Sequence, residues 1–234
     1  MNRLIFFLAF FIFGLILTSC CNNNRTERLS VEMELPDTSV THQPDLMYEV
    51  KKKTADELML NKLENGADSF ELRLWAKVEV TNGGQVFVIK KINNQWNCLH
   101  YSYLESKGMM SPNQGLIKWI TDFTVDTFCV KKMQPVTDWK TFFAAVEKEN
   151  IYNLPSQSDI KGWVNGVCDG LTYYVEYATK DKYKFYWYNC PDVYEDKFKE
   201  CKQMTNILGV FNSEFGLNMG IFDEKNVYRC RHVK

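Results

Sequence analysis

The chain has 234 residues with 28 basic and 29 acidic side chains, so it carries no net field that would recruit nucleic acid. Nucleic acid is excluded as an expected partner on that ground. Aromatic residues make up 15% of the chain, a composition that favours strands and a sheet core.

The first element in chain order is an apolar run, Leu4 to Leu17, which follows Asn2 and Arg3 and holds no charge. As a helix it would span roughly 21 Å, short of the roughly 30 Å hydrocarbon core of a bilayer. A basic residue, a short apolar centre and small residues at its end predict a secretory signal peptide over 1–19. The run ends Leu17-Thr18-Ser19-Cys20. An aliphatic residue, two small residues and a cysteine resemble the lipobox of bacterial lipoproteins. That resemblance implies diacylglyceryl transfer to the Cys20 sulfur, cleavage after Ser19, and acylation of the new amino terminus. It places the chain in the cell envelope, lipid-anchored to the inner or outer membrane. Lipidation at Cys21 fits less well, because it would put Thr18 at the aliphatic position. Two or more acyl chains anchor stably where a single short chain binds only marginally.

Residues 20–45 are polar, contain Pro36 and Pro44, and show little apolar periodicity, so they are expected to form a flexible tether. Residues 46–234 are expected to form a single domain, long enough to bury a real core. Within it, Thr54 and Glu57 have the spacing of a capping box and predict a short helix running to near Gly66. Phe70, Leu72, Leu74, Ala76 and Val78 alternate with Glu71, Arg73, Lys77 and Glu79, predicting a half-buried strand. Asn82-Gly83 and Asn93-Asn94 predict tight turns into strands over 85–92 and 95–103. A fourth strand is expected over 123–131. Asp138 or Thr137 caps a helix whose Trp139, Phe142, Phe143 and Val146 form an apolar stripe.

The second half predicts a hairpin, 171–178 with 183–187, joined by the loop Thr179-Lys180-Asp181. Such a loop pairs Tyr177 with Tyr183 and brings Cys190 opposite Gly170. A long helix follows Pro191-Asp192. The order α-β-β-β-β-α-β-β-α predicts an α+β fold, an antiparallel sheet with helices packed on one face.

Six cysteines lie beyond the lipobox pair, and export would place them where disulfides form. The expected hairpin register makes Cys168 with Cys190 the leading pair. Cys98 with Cys129 and Cys201 with Cys230 complete that set.

Catalytic patterns are sparse. Gly166-Val167-Cys168-Asp169-Gly170 has the form of a nucleophile elbow, but a strand follows it where the elbow needs a helix. Cys98 and His100 share a strand face and form a candidate thiolate pair. Asp122, Asp126, Asp169 and Glu176 are carboxylates without an assigned role. The sequence holds no CxxC, HxH or HExxH pattern and no phosphate loop, so no metal and no cofactor are expected. Tyr174, Tyr186 and Tyr188, opposite the hairpin's expected core face, form with Trp75 a candidate binding surface.

The lipobox, the asparagines after it and the aromatic-rich body together resemble the uncharacterised envelope lipoproteins of Bacteroidota-type bacteria, a resemblance that implies no activity. The expected function is a non-enzymatic binding or interaction domain with a protein or glycan ligand, an immunity or inhibitor protein being one version. The alternative is an envelope hydrolase with a cysteine nucleophile, Cys168 or Cys98 with His100.

Overall fold

Local sequence signals place most of the elements. The computed structural model of the protein describes residues 30–39, 45–78, 82–107, 115, 118, 121–163, 169–222, 227 and 232–233. The chain divides into two units, Met1–Ser30 and Val31–Lys234, and the elements below belong to the second. In chain order they are β1 (Glu32–Glu34), α1 (Leu46–Glu57), β2 (Phe70–Val78), β3 (Gly83–Ile92), β4 (Gln95–Lys107), β5 (Phe123–Met133), α2 (Trp139–Lys148), β6 (Leu171–Thr179), β7 (Lys182–Asn189), α3 (Lys199–Phe215) and β8 (His232–Val233). Among the described residues the strands form one sheet in the order β1-β7-β6-β2-β3-β4-β5-β8. Every pair is antiparallel except the edge pair of β1 with β7. The class is α+β.

Asn93 and Asn94 both take positive φ, 49° and 62°, and form the two-residue turn that their side chains favour. Asp138 caps α2 by accepting from the Thr141 backbone N–H at 2.8 Å. Asn82-Gly83 behaves otherwise. Gly83 already sits in the ladder opposite Val78, and Gly84 follows it opposite Lys77. A Cβ at Gly83 would run into the Phe222 ring, and one at Gly84 into the Tyr103 hydroxyl. Close approach across the strand explains these glycines.

Helix α1 starts earlier than the capping-box spacing predicts. Asp45 is its N-cap, accepting from Tyr48 N–H at 2.8 Å, while the Thr54 hydroxyl donates back to the Val50 carbonyl at 3.0 Å. A threonine inside a helix satisfies itself in this way, and so the spacing misplaced the start. The segment expected as a tether also contributes structure. Glu32, Met33 and Glu34 pair with Lys182, Tyr183 and Lys184 as an edge strand.

Two cores lie on opposite faces of the sheet. On one, α2 and α3 pack Phe142, Val146, Met204, Ile207, Phe211 and Phe215 against Leu72, Leu74, Phe87 and Val175. On the other, α1 and the turn after it set Ala55, Leu58 and Leu63 against Trp75, Val86, Val88, Tyr174 and Phe185. Helices therefore cover both faces, where the sequence predicted one. The cause is β2, whose charged alternate face reads as solvated but is buried and internally paired: Glu71, Arg73 and Lys77 are all buried.

The β6–β7 hairpin differs from its expected register by one residue. Its loop is Lys180-Asp181, pairing Ala178 with Tyr183 and Tyr177 with Lys184. A one-residue slip moves every side chain of a strand to the other face. Tyr186 and Tyr188 thus enter the α2/α3 core, while Tyr174 stays with Trp187 and Phe185 under α1.

Candidate functional site

Where α2 overhangs the end of the sheet, the first core opens into a cleft of about 700 Å³. Its walls come from Ser69 and the start of β2 (Phe70), the end of β3 (Lys91), the start of β4 (Trp96), α2 (Trp139, Lys140, Phe143, Ala144, Glu147) and Tyr152. The register brings these together, since Lys91 pairs with both Phe70 and Trp96 across adjacent strands. The Trp96 and Phe143 ring centroids lie 4.3 Å apart, and Trp96 and Trp139 lie 5.9 Å apart with planes inclined by 30°. Phe70 meets Trp96, Phe143 and Tyr152 edge-on at 5.6 to 5.9 Å. Gln134 fixes the Trp139 ring by accepting from Nε1–H at 3.0 Å. Phe70, Trp96, Trp139 and Tyr152 are only half-buried. Burial and nearby negative charge push the Tyr152 phenol up, so it stays a neutral donor at physiological pH.

The opposite face holds a closed ionic cluster. Glu176 lies fully buried between Lys51 Nζ at 2.6 Å and Arg73 Nη1 at 2.8 Å. Arg73 also reaches Glu71 at 2.6 Å and donates to the Asn61 carbonyl at 2.8 Å, and Lys90 approaches Glu71 at 3.2 Å. The Tyr183 hydroxyl accepts from Lys51 at 2.9 Å and donates to Glu176 at 3.1 Å. Burial alone would raise the Glu176 carboxyl, but Lys51 and Arg73 outweigh it and hold the group below the ordinary carboxylate value. Arg73 and Glu176 are direct cross-strand partners, as are Glu71 and Lys90, so the cluster also fixes register. With its charges mutually satisfied, it is an internal brace.

The residues singled out from sequence fall elsewhere. Trp75, Tyr174, Tyr186 and Tyr188, the expected binding surface, are each 2% exposed or less. Trp75 and Tyr174 lie in the core beneath α1, and the register difference carries Tyr186 and Tyr188 into the core shared by α2 and α3. Tyr186 spends its hydroxyl on the Ile151 carbonyl at 2.7 Å. Cys20 and Cys168 lie outside the described residues.

Cys98 is a free, buried thiol, and desolvation pushes it up to about 12. His100 is buried too; desolvation first, then the Lys131 charge, pushes it down to about 4. Its Nε2 lies 3.0 Å from Gln85 Oε1, while the Gln85 amide donates to the Met219 carbonyl at 3.1 Å. The ring is a neutral donor engaged with an amide, and it does not serve as a base for Cys98. Asp126 is held by Thr124 and Ser106 at the surface, and Glu176 belongs to the ionic cluster. Among the described residues no group of three or more His, Cys, Asp or Glu side chains gathers as a metal site would need.

Two expected disulfides are corrected. Cys98 and Cys201 are both free, so neither the Cys98–Cys129 nor the Cys201–Cys230 pairing forms. No disulfide joins two described cysteines, while Cys129 and Cys190 are each disulfide-bonded. Cys190 N–H donates to the Leu171 carbonyl at 2.9 Å, at the hairpin end nearest Cys168 in sequence. Non-reducing peptide mapping after native alkylation should therefore show Cys190 linked to Cys168. Cys98 and Cys201 should be modified only after denaturation. A Cys190 linked elsewhere would overturn the first expectation, and rapid native labelling of Cys98 the second.

Searches against protein-family models, curated proteins and solved structures each returned no match for this chain.

Proposed function

We propose that this chain is a non-enzymatic binding domain of the cell envelope, anchored by lipid on Cys20, which holds its ligand in the aromatic cleft between α2 and the β2–β4 end of the sheet. The observation that carries the reading is the cleft. Its size suits small-ligand sites, which run from roughly 300 to 1,000 Å³. Half-buried aromatic side chains there expose apolar surface that the fold has left uncovered. The described groups best suited to covalent chemistry, Cys98 and His100, are inert by desolvation and sealed in the core, which weighs against the hydrolase alternative.

The test is a titration of the full-length chain in detergent with fractionated envelope glycan and protein. One fraction should change the tryptophan fluorescence, and Trp139→Phe should remove a large part of that change. Cys20→Ser should leave the membrane fraction yet bind equally well, separating anchor from cleft. A titration in which no fraction perturbs the fluorescence would overturn the cleft as the binding site. Retention of Cys20→Ser in the membrane fraction would overturn the anchor.

A further inference from the structure

We propose that the cleft takes an acidic saccharide, with sugar rings laid on the Trp96 and Trp139 indoles and their carboxylates met by Lys91 and Lys140. The inference rests on the cleft being the binding site and narrows that site to one ligand chemistry.

Three observations carry it. The first is the kind of apolar contact on offer. Apart from Ala144, every apolar lining side chain is aromatic, and no Leu, Ile, Val or Met contributes. A peptide anchors aliphatic side chains in pockets or adds a strand to a free sheet edge. Here the strands beneath the cleft, β2, β3 and β4, are paired on both sides. A sugar ring instead presents a flat C–H face with hydroxyls at its rim, which fits aromatic planes bordered by Ser69, Glu147 and two lysines.

The second is charge. Lys91 Nζ stands 5.6 Å from the Trp96 ring centroid. Neither it nor Lys140 has an ion-pair partner among the described residues, whereas the interior cations Lys51, Arg73 and Lys77 are all paired. Two lining cations against the one lining carboxylate, Glu147, leave the lining itself net positive even with Asp138 interacting with Lys140 at its outer side, and so complementary to an anion. Glu147 remains as an acceptor for ring hydroxyls.

The third is orientation. The Trp96 and Trp139 planes are inclined by 30°, Phe143 packs against Trp96 at 4.3 Å and Gln134 accepts from Trp139, so both rings are set before the ligand arrives. A preformed site avoids the ordering cost that weakens adaptable ones.

The experiment is calorimetric titration of the full-length chain in detergent with oligosaccharides of galacturonate, glucuronate and alginate type. Neutral gluco-oligosaccharides of equal length and a poly-glutamate peptide serve as comparisons. At least one acidic saccharide should bind, and about tenfold or more tightly than its neutral counterpart. The Lys91→Gln/Lys140→Gln double variant, altered only at the rim, should lose that margin, and Trp96→Ala should abolish binding. Equal affinity for neutral sugars would overturn the charge argument. Competition by poly-glutamate would make the partner a protein, and acidic-sugar binding indifferent to both variants would place the site elsewhere. If no acidic saccharide binds while an envelope fraction still gives a Trp139-dependent signal, the ligand class fails and the binding cleft stands. If neither responds, both fall.

Discussion

Glu176→Gln should destabilise the protein by about 3–5 kcal/mol in urea or guanidinium denaturation, the cost expected when one partner of a buried ion pair is removed. Lys51 and Arg73 each lie within 2.8 Å of this carboxylate, and both are at most 2% exposed. The amide keeps the shape and removes the charge. Two cations would then remain in the interior with only Glu71 and the partly exposed Glu64 to balance them. A loss below about 1 kcal/mol, the range of exposed pairs, would show that the cluster is hydrated and not a brace.

Buried titratable groups on both faces give a pH dependence. His100 stays neutral in the fold down to about 4, while in the unfolded chain it takes its proton near 6.5. The unfolded state binds more protons in that window, so stability should fall as pH drops through it. Glu176 has a folded value depressed below the ordinary 4.5, so its contribution is present above 4.5 and is lost as pH falls further. Acid denaturation should begin near pH 6, and His100→Gln should remove the upper step while leaving the lower one. An unchanged upper step in that variant would assign it to another group.

Phe142→Ala should cost about 3–5 kcal/mol, the range for truncating a fully buried phenylalanine. Phe142 is entirely buried, and its ring lies between 5.1 and 5.9 Å from those of Trp139, Phe143, Phe211 and Phe215. It ties α2 to α3 and supports the wall of the cleft. Trp139→Ala, at the half-buried rim, should cost less than half as much. Comparable losses for the two in denaturant titration would mean that the aromatic cluster is not centred on Phe142.

Features fixed within a few residues were legible in the sequence. The Asn93-Asn94 turn, the Asp138 cap and the stripe of α2 each depend on local backbone chemistry, and each forms as expected. The failures share a nonlocal cause. Whether Arg73 faces water or the interior depends on Glu176, which lies 103 residues further along the chain. The β6–β7 register turns on a single loop residue, which reassigned Tyr186 and Tyr188. The cleft was hidden for the same reason, because Phe70, Trp96, Trp139, Phe143 and Tyr152 come from separate segments, and those of β2 and α2 fall on the faces that periodicity assigns to the core. The missed signal is their placement. Trp96 and Trp139 sit at the very starts of their strand and helix, next to the turns that border the sheet.

Strand β1 also changes where the folded domain must be taken to begin. It covers the outer side of β7 at Lys182, Tyr183 and Lys184, with Glu34 ion-paired to Lys182 at 3.3 Å and to Lys184. A chain started at Asp45 would leave that strand's unpaired N–H and C=O groups as a template for a second copy, the usual route to edge-to-edge aggregation. Residues 32–34 thus act as a seal. With lipid on Cys20 as proposed, they also shorten the leash: the chain from Cys20 to Glu32 spans at most roughly 40 Å when fully extended. Such a domain would begin within about one bilayer thickness of its own membrane, and its ligand would have to come near that surface.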